Sequence, residues 1–333
     1  MTGLLATISG HALSILGAGC LIGAALAATM AVSVDLASPG RRVLLSWTPI
    51  AVAVIIVRYM GWPQIAVGLI FGTSVALLSV GLGSITAITP IGPAPQRWRR
   101  IWPFTLVAAL LVFLSGFTGS LPGPNAIALL VEGLIVFSLW NDPEIQNVEI
   151  SPRTSPVQHA LWTIVWIVPA ICLAGFGAYF VAHGTAALQQ DHPRLSPGVT
   201  AASVLSPCLI VPLLLGDRHA ARSGASWIAV TSLVGIVLLN LCLLLPLLAM
   251  GPYVKAIRGM VNLSPLVIDI RGYSPQAMIY PWGVWRLDAM LLVIISAFFV
   301  PVGLGKWNLT RRDGVALSLA YLIYLMVIRA SAS

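Results

Sequence analysis

The sequence predicts an all-α polytopic membrane protein of ten transmembrane helices, arranged as two inverted five-helix repeats. Three observations carry this expectation. First, 58% of the 333 residues are hydrophobic and only 8% are charged, with a mean hydropathy of +0.95, a balance that water-soluble domains do not have. Second, the apolar runs reach the roughly 20 residues that cross a bilayer as a helix, whereas barrel strands would alternate in runs of about 10. Third, landmarks recur at one offset: Ser38, Pro49, Thr73 and Ser74 reappear as Ser196, Pro207, Thr231 and Ser232, each 158 residues later. One spacing shared by separate landmarks marks an internal duplication.

Taken in order, span 1 is expected over about Leu4 to Val34, long enough to tilt, and Asp35 to Arg42 form a polar break. Span 2 covers about Val43 to Val57 and is interrupted by Pro49, which removes a backbone donor and frees a carbonyl one turn back. Span 3, about Gln64 to Thr89, carries Gly68 and Gly72 at the spacing that lets helices approach closely in lipid. A basic, proline-rich loop from Pro90 to Arg100 leads to span 4, about Trp102 to Phe117, and span 5, about Asn125 to Trp140. The hydrophilic stretch 141–158 divides the chain into a first repeat, 1–140, and a second, 159–333. Spans 6, 7 and 8 are expected at about His159 to Leu188, Gly198 to Leu215 and Ala225 to Met250, with a charged turn from Gly216 to Ser223. The segment 251–286 is longer than a connection between adjacent spans needs. Spans 9 and 10 follow at about Leu287 to Leu304 and Gly314 to Ile328.

Five spans per repeat, an odd number, force the second copy to enter the membrane from the opposite side. With both termini outside, the inner loops hold eleven Lys and Arg against seven on the outer side, the bias that favours a cytoplasmic middle loop. The first run has no Lys or Arg before Arg41, so it is expected to be a retained helix in a bacterial inner membrane, not a cleaved leader. The net charge of +8 is read as loops meeting anionic headgroups, with the lipid bilayer and not nucleic acid as partner. Trp98, Trp102, Trp140, Trp162, Trp282, Trp285 and Trp307 fall at span ends, where indoles anchor in the headgroup layer. Cys20, Cys172, Cys208 and Cys242 lie in apolar runs without metal-ligand or disulfide spacing. No phosphate-cradling loop, nucleophile triad or metal cluster is legible, so neither an enzyme nor a cofactor is expected.

Each half has a hydroxyl-Pro break, Thr48-Pro49 and Ser206-Pro207, followed about 23 residues later by a hydroxyl pair. The stretch Trp47-Thr48-Pro49-Ile50 through Gly72-Thr73-Ser74, with Leu205-Ser206-Pro207-Cys208 through Thr231-Ser232, resembles the two signature repeats of the cation/calcium exchanger superfamily. Gly177-Ala178-Tyr179, Gly184 and the closing Thr310-Arg311-Arg312-Asp313-Gly314 with Tyr321 and Tyr324 extend the likeness. The resemblance implies the exchanger fold and a substrate path between spans 2, 3, 7 and 8. It also implies an acidic residue after each signature proline, where this chain has Ile50 and Cys208.

Calcium takes six to eight oxygen ligands, usually including carboxylates. The path residues Thr48, Pro49, Ile50, Thr73, Ser74, Ser206, Pro207, Cys208, Thr231 and Ser232 offer hydroxyl and carbonyl dipoles only. Such a site suits a monovalent cation or a small polar solute; the same hydroxyls could instead bond back to their own helices. Glu132 is the one carboxylate expected in mid-membrane, and it and His183 are possible proton or ion-coupling groups, with packing roles as the alternative. Asn240 is expected to bridge helices. The favoured reading is a divergent secondary transporter that does not perform classical calcium exchange. The alternative is a transport-inactive structural or docking subunit, with Tyr253, Tyr273, Tyr280, Trp282 and Trp285 as anchors for other membrane subunits.

Overall fold

A computed structural model describes residues 10–34, 39–95, 99–117, 121, 123–140, 156–191, 196–222, 226–249 and 282–330. They form ten helices: α1 (Gly10–Val34), α2 (Pro39–Tyr59), α3 (Pro63–Ile88), α4 (Trp102–Ser115), α5 (Gly123–Trp140), α6 (Pro156–Asp191), α7 (Pro197–Thr200 continuing through Ser206–Arg222), α8 (Ser226–Ala249), α9 (Trp282–Gly303) and α10 (Arg311–Ala330). Eight are long and apolar enough to cross a membrane, while α4 and α5 are shorter apolar helices.

The core is a pair of helices enclosed on all sides. Every side chain from Ile65 to Ser79 in α3 and from Ala229 to Cys242 in α8 is buried, so these two apolar helices face protein where the outer ones face lipid. Ile15, Leu134 and Met326 on α1, α5 and α10 point outward. Small residues set the closest crossings. Gly10 of α1 meets Gly184 of α6 and Gly17 meets Gly177, an antiparallel pairing. Gly68 and Gly72 of α3 advance together with Gly198 and Ala202 of α7, a parallel one.

Three π-helical turns interrupt the central helices: Leu77–Gly81 in α3, Ala201–Leu205 in α7 and Asn240–Leu244 in α8. The turn in α7 stands just before Ser206-Pro207, where the Ser206 N–H donates to the Ala201 carbonyl five residues back. Proline cannot supply the next α-helical donor, and the wider turn accommodates that loss. Pro49, its counterpart, sits inside an uninterrupted α2.

Several expectations need correction. The polar break over Asp35 to Arg42 is partly helical, since α2 starts at Pro39, a favoured first-turn residue. The expected turn from Gly216 to Ser223 is the end of α7, which runs to Arg222. Helix α6 begins at Pro156, inside the expected linker, and 141–155 lies outside the described residues. Trp102, Trp140 and Trp285 are not headgroup anchors: they are 5%, 3% and 2% exposed. Trp102 stacks on Phe299, and Trp285 donates to the Val112 carbonyl and meets Phe71 edge-on. Of the aromatic residues expected to hold partners, Trp285 is therefore an internal packing residue. Tyr253, Tyr273 and Tyr280 lie outside the described residues, as do 251–281. The four cysteines are separate free thiols.

Candidate functional site

The crossing of α2, α3, α7 and α8 carries the landmarks that recur 158 residues apart, Pro49, Thr73 and Ser74 with Pro207, Thr231 and Ser232. On α3, the Thr73 hydroxyl donates to the Leu69 carbonyl at 2.6 Å and the Ser74 hydroxyl to the Ile70 carbonyl at 2.7 Å. These bonds commit both protons and leave the oxygens as acceptors. Asn240, the first residue of the α8 π turn, fills that need: its Nδ2 donates to Thr73 Oγ1 at 2.9 Å and to Ser74 Oγ at 3.3 Å. Its Oδ1 accepts from Trp47 Nε1 at 3.0 Å. An indole N–H is only a donor, so the amide orientation is determined by its partners. Asn240 is fully buried, as are Thr73 and Ser74.

The remaining expected path residues divide in three ways. Thr48 and Thr231 bond back to the Leu44 and Trp227 carbonyls of their own helices. Ser206 bonds to the Ala201 carbonyl and packs where a Cβ on Gly72 would stand 2.4 Å from its Oγ. Ser232 is buried, 1% exposed, and its hydroxyl has no hydrogen-bond partner. Pro49 and Ile50 are buried, and Pro207 and Cys208 are half-buried. The structure thus brings Thr73 and Ser74 together with Asn240 and Trp47, and Ser206 against Gly72. Thr48 spends its hydroxyl on its own helix, half-buried.

Charge lies around this crossing, not in it. Arg42 Nη2 and Asp217 Oδ1 are 2.7 Å apart and both side chains are buried, joining the start of α2 to the end of α7. Both residues lie beyond the expected bounds of spans 2 and 7, because the helices extend past their apolar runs. Asp288 on α9 is fully buried and accepts from the Tyr324 hydroxyl at 2.9 Å, so Glu132 is not the only enclosed carboxylate. Glu132 on α5 is 5% exposed, and neither of its oxygens has a hydrogen-bond partner. His183 lies on the exposed side of α6, its ring 4.4 Å from that of Tyr179. That places it on the outer surface of the helix bundle, away from the crossing. Among the described residues no group of three or more His, Cys, Asp or Glu could hold a metal ion.

Eight helices long and apolar enough to cross a membrane, around enclosed central helices that carry π turns and a polar crossing, form the frame of an integral membrane protein. A family model for the sodium/calcium exchanger protein matches residues 162–329, half of the chain. The chain belongs to that family. The crystal structure of the H+/Ca2+ exchanger CAX is similar at a TM-score of 0.72 and 14% identity, over 99% of this chain and 87% of that one. The sodium-calcium exchanger NCX_Mj is similar at a TM-score of 0.62 and 14% identity, over 96% of this chain and 98% of that one. At these identities the likeness is one of fold. No curated protein matches the chain significantly.

Proposed function

We propose that this protein is a secondary transporter of a monovalent cation or small polar solute, built as ten spans in two inverted repeats, and that it does not perform classical calcium exchange. The observation that carries the reading is the Asn240 network: every group at the crossing is a neutral dipole, and the positions after the signature prolines are Ile50 and Cys208. A doubly charged ion leaving water needs compensating negative charge. A singly charged ion or polar solute can be held by hydroxyls, an amide and carbonyls. The path runs past Thr48, Thr73, Ser74, Ser206, Thr231 and Ser232, with the Asn240 carboxamide closing it in this state. Antiparallel packing of α1 on α6 and parallel packing of α3 on α7 support the inverted arrangement, in which substrate paths run where the repeats meet.

The test is flux in proteoliposomes read with sodium- and potassium-selective dyes and a calcium dye. The expected outcome is monovalent or solute flux that is independent of calcium and lost in Ser74→Leu. Calcium flux by the unaltered protein, or solute flux unchanged by substitutions at Thr48, Ser74, Ser206 and Ser232, would overturn it.

A second reading, a transport-inactive subunit of a membrane complex, is favoured by how completely the crossing is closed: of the expected hydroxyls, only Ser232 is not already bonded within the protein. Its test is deletion of 251–281 followed by purification from the native membrane. Loss of a stoichiometric partner supports it, and an unchanged set of partners counts against it.

A further inference from the structure

Behind the Asn240 network lies a carboxylate that the path does not use. Glu132 is 5% exposed with both oxygens unpartnered. Helix α5 packs on α4 and on the α8 π turn. Neither Trp102–Ser115 nor Ser226–Ala249 contains Asp, Glu, Lys, Arg or His. The titratable group within electrostatic reach of Glu132 is the buried Cys242 thiol. A carboxylate without donors is the costliest form this side chain can take in a span, and binding a proton removes the charge.

The helix that carries Glu132 also packs on the α8 π turn. A Cβ on Gly133 would stand 3.1 Å from Cys242 Cβ and 3.2 Å from the Cys242 carbonyl oxygen, so α5 touches that turn. Asn240 opens the same turn, whose closing bond runs from the Leu245 N–H to the Asn240 carbonyl. A π turn holds one residue more than the α-helix around it. Drawing it back to α geometry rotates one flank against the other by about 100°. Asn240 and Cys242 would change facing together. An apolar groove of about 250 Å³ between α5 and α8, lined by Leu130, Leu134, Phe137, Leu239 and Leu243 among others, leaves space for such movement.

We propose that Glu132 is a proton-binding site coupled through the π turn Asn240–Leu244 to the Asn240 network, which rests on that network being the closure of the path. The neutral acid goes with the closed network. When its O–H proton passes to water, a negative charge is left on α5 within reach of Cys242 in the π turn, the turn yields, and Asn240 leaves Thr73 and Ser74. A two-state element biased from both sides is what such coupling requires.

The test uses the full chain in lipid vesicles, with its cysteines intact for infrared spectra and solute flux, and with Cys20, Cys172 and Cys208 replaced by Ala only for the alkylation of Cys242. Infrared spectra from about pH 5 to about pH 8 are expected to show a protonated-carboxyl band that is lost on alkalinisation, absent in Glu132→Gln and shifted but retained in Glu132→Asp. Alkylation of Cys242 by N-ethylmaleimide is expected to rise with pH more steeply than in Glu132→Gln, even though the Glu132 charge by itself disfavours the neighbouring thiolate, so a steeper rise reports access to the turn. A band that does not titrate or survives in Glu132→Gln, or identical alkylation profiles, would overturn the proposal. A titrating Glu132 in a protein that moves no solute would remove the transport reading and leave the proton site. Solute flux with the same pH dependence in Glu132→Gln would do the reverse.

Discussion

The Asn240 network makes a quantitative prediction for a double-mutant cycle with Trp47. Asn240→Leu keeps most of the side-chain volume but leaves the Trp47 Nε1–H without the acceptor it has at 3.0 Å. Thr73 and Ser74 lose the Nδ2 donor but keep their hydroxyl bonds to the Leu69 and Ile70 carbonyls, so the orphaned indole dominates the cost. An unsatisfied buried donor is worth about 1–3 kcal/mol, and the half-buried Trp47 falls toward the lower end of that range. Asn240→Ala adds a cavity to the same loss and is expected to destabilise by about 2–4 kcal/mol. Trp47→Phe alone strands Asn240 Oδ1, but in the Asn240→Leu background it removes a donor that already lacks a partner. The two substitutions should therefore be non-additive by about 1–2 kcal/mol, with the double variant more stable than the sum of the singles implies. Denaturant or thermal unfolding of the purified protein in one detergent measures the cycle. Additivity within about 0.5 kcal/mol would mean that the indole and the amide do not interact, and the description of the crossing would fail with it.

Three further outcomes follow from other contacts. Arg42→Met should destabilise by about 3–5 kcal/mol, because it leaves Asp217 buried and unpaired, whereas Arg42→Met with Asp217→Leu should recover most of that loss; unfolding midpoints of the single and double variants check this. Gly72→Ala places a Cβ 2.4 Å from Ser206 Oγ and 2.6 Å from the Ala202 carbonyl oxygen, an overpacking of about 1–3 kcal/mol, while Gly19→Ala, which meets nothing within 4 Å, should stay within about 0.5 kcal/mol. Asn240→Asp turns a carboxylate toward two hydroxyl oxygens whose protons are already committed, so it needs a cation between them; calcium should raise the unfolding temperature of this variant and not of the unaltered protein, and calorimetric calcium uptake by the latter would refute the electrostatic argument.

The helices were legible because each is an apolar run of membrane-crossing length bounded by glycine, proline or charge, and the duplicated prolines pointed to the central crossing. Helix ends were not legible where charge continues inside a helix. Arg42 and Asp217 read as loop residues because each sits in a charged cluster, yet pairing across 175 positions lets both be buried, and no local pattern announces such a partner. Asp288 was hidden for the same reason: it lies close behind the start of α9, and its partner Tyr324 is on another helix. Asn240 was visible as a polar residue in an apolar span. Its place at the centre of the crossing depends on the π turn, which sets its facing and leaves no mark in the hydropathy. The exposed side of His183 was equally hidden, since α6 is apolar all round and its hydrophobic pattern does not separate lipid from protein.

If the two halves are the inverted repeats proposed above, they do not share the contacts that join them. Trp47 and Asn240 correspond, through the duplication, to Leu205 and Leu82, and Arg42 and Asp217 to Thr200 and Tyr59. Each cross-half contact therefore takes one residue from each repeat, and the equivalent pair cannot make the same bonds. In a transporter that alternates by exchanging the conformations of its halves, the two facing states would be related by that correspondence. Here they cannot have equal energy. The state with Asn240 on Trp47, Thr73 and Ser74 keeps three hydrogen bonds that its counterpart lacks, worth about 0.5–1.5 kcal/mol each. That preference amounts to a population ratio of about ten to about two thousand, and a cargo must offset it by binding the other state more tightly. Trp47→Phe should accordingly raise the apparent affinity for a cargo of the opposite-facing state in equilibrium binding to the purified protein. An unchanged or weakened affinity would show that the network does not separate the two states.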